Sequence, residues 1–146
     1  MTLSERHEQV ESYLGKTVDI EIDRPIGYVH HKGEKTLVYP INYGYIPGVL
    51  GGDDEELDVF LLGVDTPVES FTGRIIGIVY RADDVEDKLV MAPEGMTFSA
   101  QEIAQAVQFQ EKYYTHLTHQ IPFSCKVHKF LENSYSQHQY LITNYL

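Results

Sequence analysis

The sequence predicts an α+β protein of mainly β structure, in which short strands close into a small barrel and a helix packs against it. Two features of the 146-residue chain predict this fold. Short apolar or alternating segments recur along the chain, separated by turns that contain glycine or proline, as in small barrels. Residues 100–116 instead carry apolar side chains at spacings of three and four, which is the period of a helix.

The N-terminal residues predict a short helix. Thr2 or Ser4 can cap it, Glu5 lies in its first turn, and Gly15 ends it after Tyr13. The few apolar residues of this segment form one narrow stripe, which indicates that the helix serves for packing.

Strands are predicted wherever apolar residues alternate with polar ones or form short runs between turns. These segments are residues 16–23, 36–40, 59–64, 72–81, 123–130 and 139–146. Residues 42–47 lead into the third of them, and the polar residues 30–35 are predicted to form a loop. The helix over residues 100–116 is predicted to begin at Ser99, with Glu102 completing a capping box.

The chain shows no repeat, linker or low-complexity segment, so residues 1–146 are expected to form a single domain. Within it, residues 116–146 are predicted to be a C-terminal extension folded as a β-hairpin. We also expect the chain to form a homo-oligomer.

The composition restricts the classes of partner and the location. There are 22 acidic and 11 basic residues, and with a net charge of −11 neither nucleic acid nor an anionic membrane is an expected partner. No apolar run approaches the roughly 20 residues of a membrane-spanning helix, and residues 1–11 do not form a signal peptide. Cys125 is the single cysteine, so no intrachain disulfide can form and a cytoplasmic location is expected.

The most unusual segment begins with an aromatic stretch broken by glycine and proline, residues 39–48. After a two-glycine turn it continues into residues 53–58, which hold five carboxylates in six positions. Like charges this close repel one another unless a cation lies between them, and Mg²⁺ binds through carboxylates, waters and substrate phosphates. If the chain is extended here, Asp53 and Glu55 share one face. A solvated hairpin loop without a metal is the alternative.

A second acidic cluster, residues 83–87, also precedes an apolar segment, which begins at Lys88. A polar hairpin with local charge pairs would explain this cluster by itself. Two separated acidic clusters that both precede apolar strands favour convergence on one metal site.

The order of these segments resembles a known family. Residues 42–47, a short turn, and acidic residues at 53, 55 and 58 look like the signature of soluble Mg²⁺-dependent inorganic pyrophosphatases. Residues 83–90 are similar to the acidic loop and Lys-Leu-Val end of that family. The resemblance runs from about Val18 to Tyr114 and fits a short, divergent pyrophosphatase-like branch. It implies an OB-like five-stranded barrel with its site at one face, and hydrolysis of inorganic pyrophosphate.

The resemblance also implies roles for individual residues. Hydrolysis of pyrophosphate requires neutralised phosphate charge and an activated water, and Mg²⁺, with Mn²⁺ as a substitute, supplies both. The implied metal ligands are Asp53, Glu55, Asp58, Asp83 and Glu86. The implied catalytic residues are Glu55, Asp58 and Tyr43, with Glu55 orienting the attacking water. The implied substrate-binding residues are Arg24, Lys88 and Tyr113.

Several positions depart from the family pattern and leave three functions open. Glu55 replaces an aspartate, Tyr114 stands where a lysine is usual, and the first hairpin lacks its lysine. The chain can be a pyrophosphatase, a hydrolase of a larger diphosphate ester that the shortened hairpin admits, or a non-catalytic relative that binds a phosphate ligand or a partner. Arg24 can equally be a surface residue paired with Asp23.

Overall fold

The computed structural model describes residues 2–52, 54–81, 87–115, 125–132 and 138–145; for Leu3, Lys32, Arg81 and the described residues from 111 onwards it describes the backbone alone. The helices and strands within these ranges are, in chain order, α1 (Leu3–Glu11), β1 (Thr17–Arg24), β2 (Val29–Lys32), β3 (Lys35–Val38), β4 (Asn42–Leu50), β5 (Glu56–Leu61), β6 (Ser70–Arg81), β7 (Lys88–Ala92), α2 (Ala100–Thr115), β8 (Cys125–Glu132) and β9 (His138–Tyr145).

Five of the strands close into a barrel. β1 pairs with β4, β4 with β5, β5 with β7 and β7 with β6, and β6 then pairs back to β1. All of these pairs are antiparallel except β5–β7, which is parallel. Closure removes the free edges that an open five-stranded sheet would expose. The predicted mainly β fold, with a closed barrel and two helices, is confirmed.

Both helices begin with the predicted caps. The Thr2 hydroxyl accepts a hydrogen bond from the Glu5 amide at 3.1 Å. At the start of α2, the Glu102 amide donates to the Ser99 hydroxyl at 3.0 Å, and the Ser99 amide donates to the Glu102 carboxylate at 2.8 Å. The two reciprocal bonds form the predicted capping box. No helix in the described ranges is long and apolar enough to cross a membrane.

Buried side chains form two layers, one on each face of the barrel wall. Because alternate residues of a strand face opposite sides, Val59 and Leu61 of β5 join one apolar cluster and Phe60 joins the other. The first cluster fills the barrel, and α1 adds Val10 to it. The second lies on the outer face under α2, which contributes Ile103 and neighbouring residues.

Gly44 allows two barrel strands to approach closely. It lies opposite Ile22 in the β1–β4 ladder, and a Cβ atom at this position would overlap the backbone carbonyl of Glu21. Only glycine avoids this overlap. The close approach places Arg24 of β1 opposite Tyr43 of β4.

The sheet continues beyond the barrel at β6. β8 pairs with β6 and β9 with β8, both antiparallel. A register shift between Ile75 and Gly77 bends β6, so that its first part pairs with β1 and its last part with β8. β8 and β9 fall where strands were predicted over residues 123–130 and 139–146.

Some local predictions are wrong. Residues 30–35 were expected to form a loop, but they belong to a two-stranded hairpin in which His30 pairs with Leu37. Most described side chains of this hairpin are exposed, while Leu37 packs partly against the core, so its sequence carries no regular apolar alternation. The strands predicted over residues 36–40, 59–64 and 72–81 appear as β3, β5 and β6 with ends shifted by one to three residues.

The chain before β5 is not extended. The Asp54 amide donates to the Gly51 carbonyl at 3.2 Å, and Asp54 has a φ of 63°. This turn removes the reason for expecting Asp53 and Glu55 to share a strand face. Asp53 itself lies outside the described residues.

Candidate functional site

Three polar side chains meet on the outer face of the barrel, next to the apolar layer that α2 covers. The Tyr43 hydroxyl donates to Asp58 Oδ2 at 2.7 Å. The Lys88 ammonium donates to the same oxygen at 2.9 Å and also to the Tyr43 hydroxyl. The Lys88 side chain is 3% exposed and that of Asp58 is 25% exposed. We call these three residues the Tyr43–Asp58–Lys88 cluster.

Strand register brings the cluster together from three separate strands. Tyr45 lies opposite Asp58 in the β4–β5 ladder, and Tyr43, two residues earlier, shares its face. On the other side of β5, the parallel strand β7 begins at Lys88 and places it beside Asp58.

The ion pair within this cluster has an electrostatic reason. An ammonium group withdrawn from water is costly unless a carboxylate compensates it, and Asp58 does so for Lys88. Its partial exposure leaves Asp58 in contact with solvent. The cluster therefore presents a fixed positive charge and an accessible carboxylate on the same face.

Arg24 lies beside this cluster among three tyrosine rings. Its guanidinium carbon is 5.9 Å from the ring centroid of Tyr28, 5.5 Å from that of Tyr39 and 5.7 Å from that of Tyr43. Its Nη1 donates to the Tyr39 hydroxyl at 2.5 Å. Burial lowers the pKa of Arg24, but the Tyr39 hydrogen bond and the nearby charges outweigh it, so this pKa lies above its ordinary value. Arg24 is thus a permanent cation held in a fixed direction.

The buried Tyr39 is itself held from α2. Gln110, which is 4% exposed, donates through Nε2 to the Tyr39 hydroxyl at 2.8 Å. The Tyr39 ring also packs edge-on against Phe109, with centroids 5.0 Å apart. Neither Tyr39 nor Gln110 was among the site residues predicted from the sequence. Gln110 lies seven positions after Ile103, on the apolar stripe of α2. A polar residue on that stripe was the signal that could have identified Gln110.

Asp23 is a further acidic residue at this site that the sequence did not identify. It lies at the β-bulge between Ile22 and Arg24 of β1. Desolvation raises the pKa of Asp23, and the negative charge of Asp58 raises it further, while a backbone hydrogen bond, Arg24 and Lys88 act in the opposite direction. The Asp23 residue as a whole remains exposed to solvent. Nearby protein atoms therefore desolvate its carboxylate without enclosing it. Two carboxylates therefore repel each other beside the two cations.

Comparison with known proteins agrees with this geometry. The sequence model of the family described as inorganic pyrophosphatase matches residues 9–138 of the chain. This chain belongs to the inorganic pyrophosphatase family. The resemblance found in the sequence is confirmed, and membership of this family implies a divalent metal cofactor.

Individual pyrophosphatases give the extent of the similarity. The inorganic pyrophosphatase of Saccharolobus solfataricus is 39% identical over 94 residues, which cover 60% of this chain and 55% of that protein. The inorganic pyrophosphatase of Sulfolobus acidocaldarius is 34% identical over 99 residues, covering 60% and 54%. The chain thus spans about half the length of the curated pyrophosphatases it matches.

A solved structure supports the fold. An inorganic pyrophosphatase from Coxiella burnetii superimposes with a TM-score of 0.54 and 19% identity, over 71% of this chain and 80% of that chain. At this identity the likeness shows the shared OB-like pyrophosphatase fold alone.

The structure brings together four of the residues predicted for the pyrophosphatase site: Arg24, Tyr43, Asp58 and Lys88. Glu55 lies exposed in the turn that precedes β5. Asp53, Asp83 and Glu86 lie outside the described residues, and the side chain of Tyr113 is also outside them. Arg24 is held by the Tyr39 hydroxyl, and the charge of Asp23 also acts on it.

The described carboxylates fit a divalent metal in chemical type. Asp23 and Asp58 are hard oxygen donors of the kind that Mg²⁺ and Mn²⁺ bind, and a bound cation would offset the desolvation and the negative charge of Asp58 that raise the pKa of Asp23. Among the described residues, no three His, Cys, Asp or Glu side chains are grouped closely enough to form a site by themselves.

Proposed function

We propose that this chain hydrolyses inorganic pyrophosphate to two phosphates, with Mg²⁺ as its metal and Mn²⁺ as a substitute. The observation that carries the proposal is the placement of two cations, Lys88 and Arg24, beside Asp58 on one open face of the barrel. An acidic chain with a net charge of −11 would repel pyrophosphate unless cations met it locally.

The proposed roles of the chain's own groups follow from their chemistry. The Arg24 guanidinium offers a planar pair of donors that matches two phosphate oxygens. The Lys88 ammonium stabilises charge on the leaving phosphate. The Tyr43 hydroxyl accepts from Lys88 and donates to Asp58, so it keeps both groups in place. When bound, the metal supplies charge neutralisation and a more acidic water.

The proposed metal ligands are Asp58 together with Asp53, Glu55, Asp83 and Glu86, and Asp23 is a candidate to add to them. Tyr113 remains a proposed phosphate-binding residue. The proposal also keeps a cytoplasmic location, assembly into a homo-oligomer, and the expectation that neither nucleic acid nor a membrane is a partner.

One observation favours a second candidate, hydrolysis of a larger diphosphate ester. Tyr28 is 37% exposed at the rim, beside Arg24 and edge-on to Tyr39. An exposed aromatic ring next to a phosphate-binding arginine can stack on a base or another flat substituent. Rates on nucleoside diphosphates, compared with rates on pyrophosphate, separate the two candidates.

The test is phosphate release from pyrophosphate with Mg²⁺, with Mn²⁺ and with chelator, for wild type, Asp58→Asn and Asp65→Asn. Asp65 is an exposed aspartate beyond the other end of β5 and serves as the matched control. We expect metal-dependent turnover in wild type and Asp65→Asn, and a loss of about a hundredfold or more in Asp58→Asn. Folded wild-type protein that releases no phosphate with either metal would rule out the proposal and leave hydrolysis of a larger diphosphate ester or a binding function.

A further inference from the structure

The face of α1 that meets the barrel contains a buried arginine. Val10 belongs to the cluster that fills the barrel. Arg6, one helical turn earlier on the same face, is 8% exposed. An arginine in such a position requires a compensating charge.

Asp87 supplies this charge. Arg6 Nε donates to Asp87 Oδ2 at 3.0 Å, and the two side chains are 9% and 0% exposed. His7 Nε2 lies 3.6 Å from the same oxygen. Loss of one partner from a buried ion pair leaves the other charge uncompensated, so the pair holds Asp87 strongly against α1.

α1 also contacts the strand that runs beside this position. The His7 ring packs edge-on against Tyr80 with centroids 4.8 Å apart, and the Tyr80 hydroxyl donates to Glu11 at 2.6 Å. Tyr80 follows Val79, which lies opposite Lys88 in the β6–β7 ladder. α1 therefore contacts both strands of the β6–β7 ladder near Lys88: it contacts β6 at Tyr80, and it contacts Asp87, the residue before β7.

Asp87 and Lys88 are neighbours in the chain but point to different partners. The Asp87 side chain contacts α1, and the Lys88 side chain contacts Tyr43 and Asp58. One peptide unit joins them, so a displacement of Asp87 moves the backbone from which the Lys88 side chain reaches the site.

We propose that Arg6 is a positioning residue for Lys88, acting through its ion pair with Asp87. This inference rests on the proposed phosphate-binding role of Lys88. It adds a residue of the N-terminal helix, which acts on the Tyr43–Asp58–Lys88 cluster through Asp87. A group in a site that is displaced by about 1 Å can cost on the order of a hundredfold in rate.

The test compares Arg6→Met, Arg6→Lys and Val10→Ala in the full chain. Arg6→Met keeps the length of the side chain and removes its charge. Arg6→Lys keeps a cation for Asp87. Val10→Ala removes buried apolar atoms from the same helix face and lowers stability, but it leaves both partners of the ion pair intact.

Steady-state kinetics on pyrophosphate with Mg²⁺ should be measured below the unfolding temperature of all three variants. We expect kcat to fall about ten- to a hundredfold in Arg6→Met, with KM changing less. Arg6→Lys should recover part of this loss, and Val10→Ala should keep the wild-type kcat despite a lower Tm. A kcat for Arg6→Met equal to that of Val10→Ala would overturn the proposal.

Amide hydrogen exchange gives a readout that does not require activity. We expect residues 87–90 to exchange faster in Arg6→Met than in wild type, with no matching change in β1, whereas Val10→Ala should not single out this segment. If wild type releases no phosphate, the proposed function fails by itself, and the exchange data still decide the inference. Unchanged exchange at residues 87–90 in both Arg6 variants would refute it.

Discussion

Lys88 carries its charge almost fully out of solvent, and this costs free energy that Asp58 offsets. Asp23 adds a second carboxylate near Asp58, and desolvation together with the charge of Asp58 outweighs the opposing effects of its backbone hydrogen bond, Arg24 and Lys88. The ionised form of Asp23 therefore destabilises the metal-free folded protein. Measurements of stability as a function of pH can quantify this effect.

Asp23→Asn should stabilise the metal-free protein at neutral pH. The ordinary pKa of an aspartate is about 3.9, and that of Asp23 in the folded protein is raised. Folded protein therefore binds this proton more tightly than the unfolded chain does. Stability falls as the pH rises from about 4 through the raised pKa, and the loss is complete above it. The substitution removes this loss, so Tm should exceed that of wild type at pH 7 and match it below about pH 4.

Thermal unfolding in chelator, followed by circular dichroism across this pH range, measures the effect. Asp19→Asn is the control, because Asp19 is an exposed aspartate on the same strand that instead accepts a hydrogen bond from Thr72. Asp19→Asn should not raise Tm. A Tm for Asp23→Asn at or below that of wild type at pH 7 would contradict the prediction.

At the scale of elements, the site depends on how closely β1 and β4 approach. Gly44 permits this approach because any side chain there would meet the Glu21 carbonyl. Gly44→Ala must push the two strands apart, and we expect it to lower the free energy of unfolding by about 3 kcal/mol, as an overpacked position does. Chemical denaturation measures this value.

Gly33→Ala provides the comparison for that measurement. Gly33 has a φ of 64°, and the space that a Cβ atom would occupy there is open, so an alanine meets strain from the backbone conformation alone. That strain costs about 1–2 kcal/mol. If Gly44→Ala and Gly33→Ala lower the free energy of unfolding equally, the overlap between β1 and β4 at residue 44 costs no more than the backbone strain at residue 33.

Elements could be predicted from the sequence where their signals are local. The capping box of Ser99 and Glu102 spans four residues and was found with its partners. Strand β2 was missed because its residues are mostly polar and apolar alternation is absent, whereas β3 was predicted with shifted ends. The two-glycine turn before the acidic run was predicted, but its extension to Asp54 was missed because a φ of 63° in a non-glycine residue leaves little trace in the sequence.

For the molecule as a whole, contacts between distant segments limit what a sequence predicts. Tyr43, Asp58 and Lys88 were each identified by family resemblance, but their mutual contacts depend on the register of three strands. Arg6 and Asp87 lie 81 residues apart; Arg6 did not stand out in the sequence, and Asp87 did so only as a member of an acidic cluster. Their pairing follows only once α1 is packed against the barrel.

The charge of the whole molecule gives the last prediction. With a net charge of −11, any salt should stabilise the fold somewhat by screening. A metal site predicts a further effect, because a ligand that binds only the folded state stabilises it by about 2.7 kcal/mol at a hundredfold excess over its Kd.

Mg²⁺ should therefore raise Tm well above the value in sodium chloride of equal ionic strength. Differential scanning calorimetry of wild type, Asp58→Asn and Asp65→Asn measures both effects. Asp58→Asn should lose the Mg²⁺-specific part and keep the part due to screening, while Asp65→Asn should keep both. Equal shifts in magnesium and sodium salts for wild type would mean that the carboxylates near Lys88 hold no divalent metal, and hydrolysis by the proposed route would then lack its cofactor.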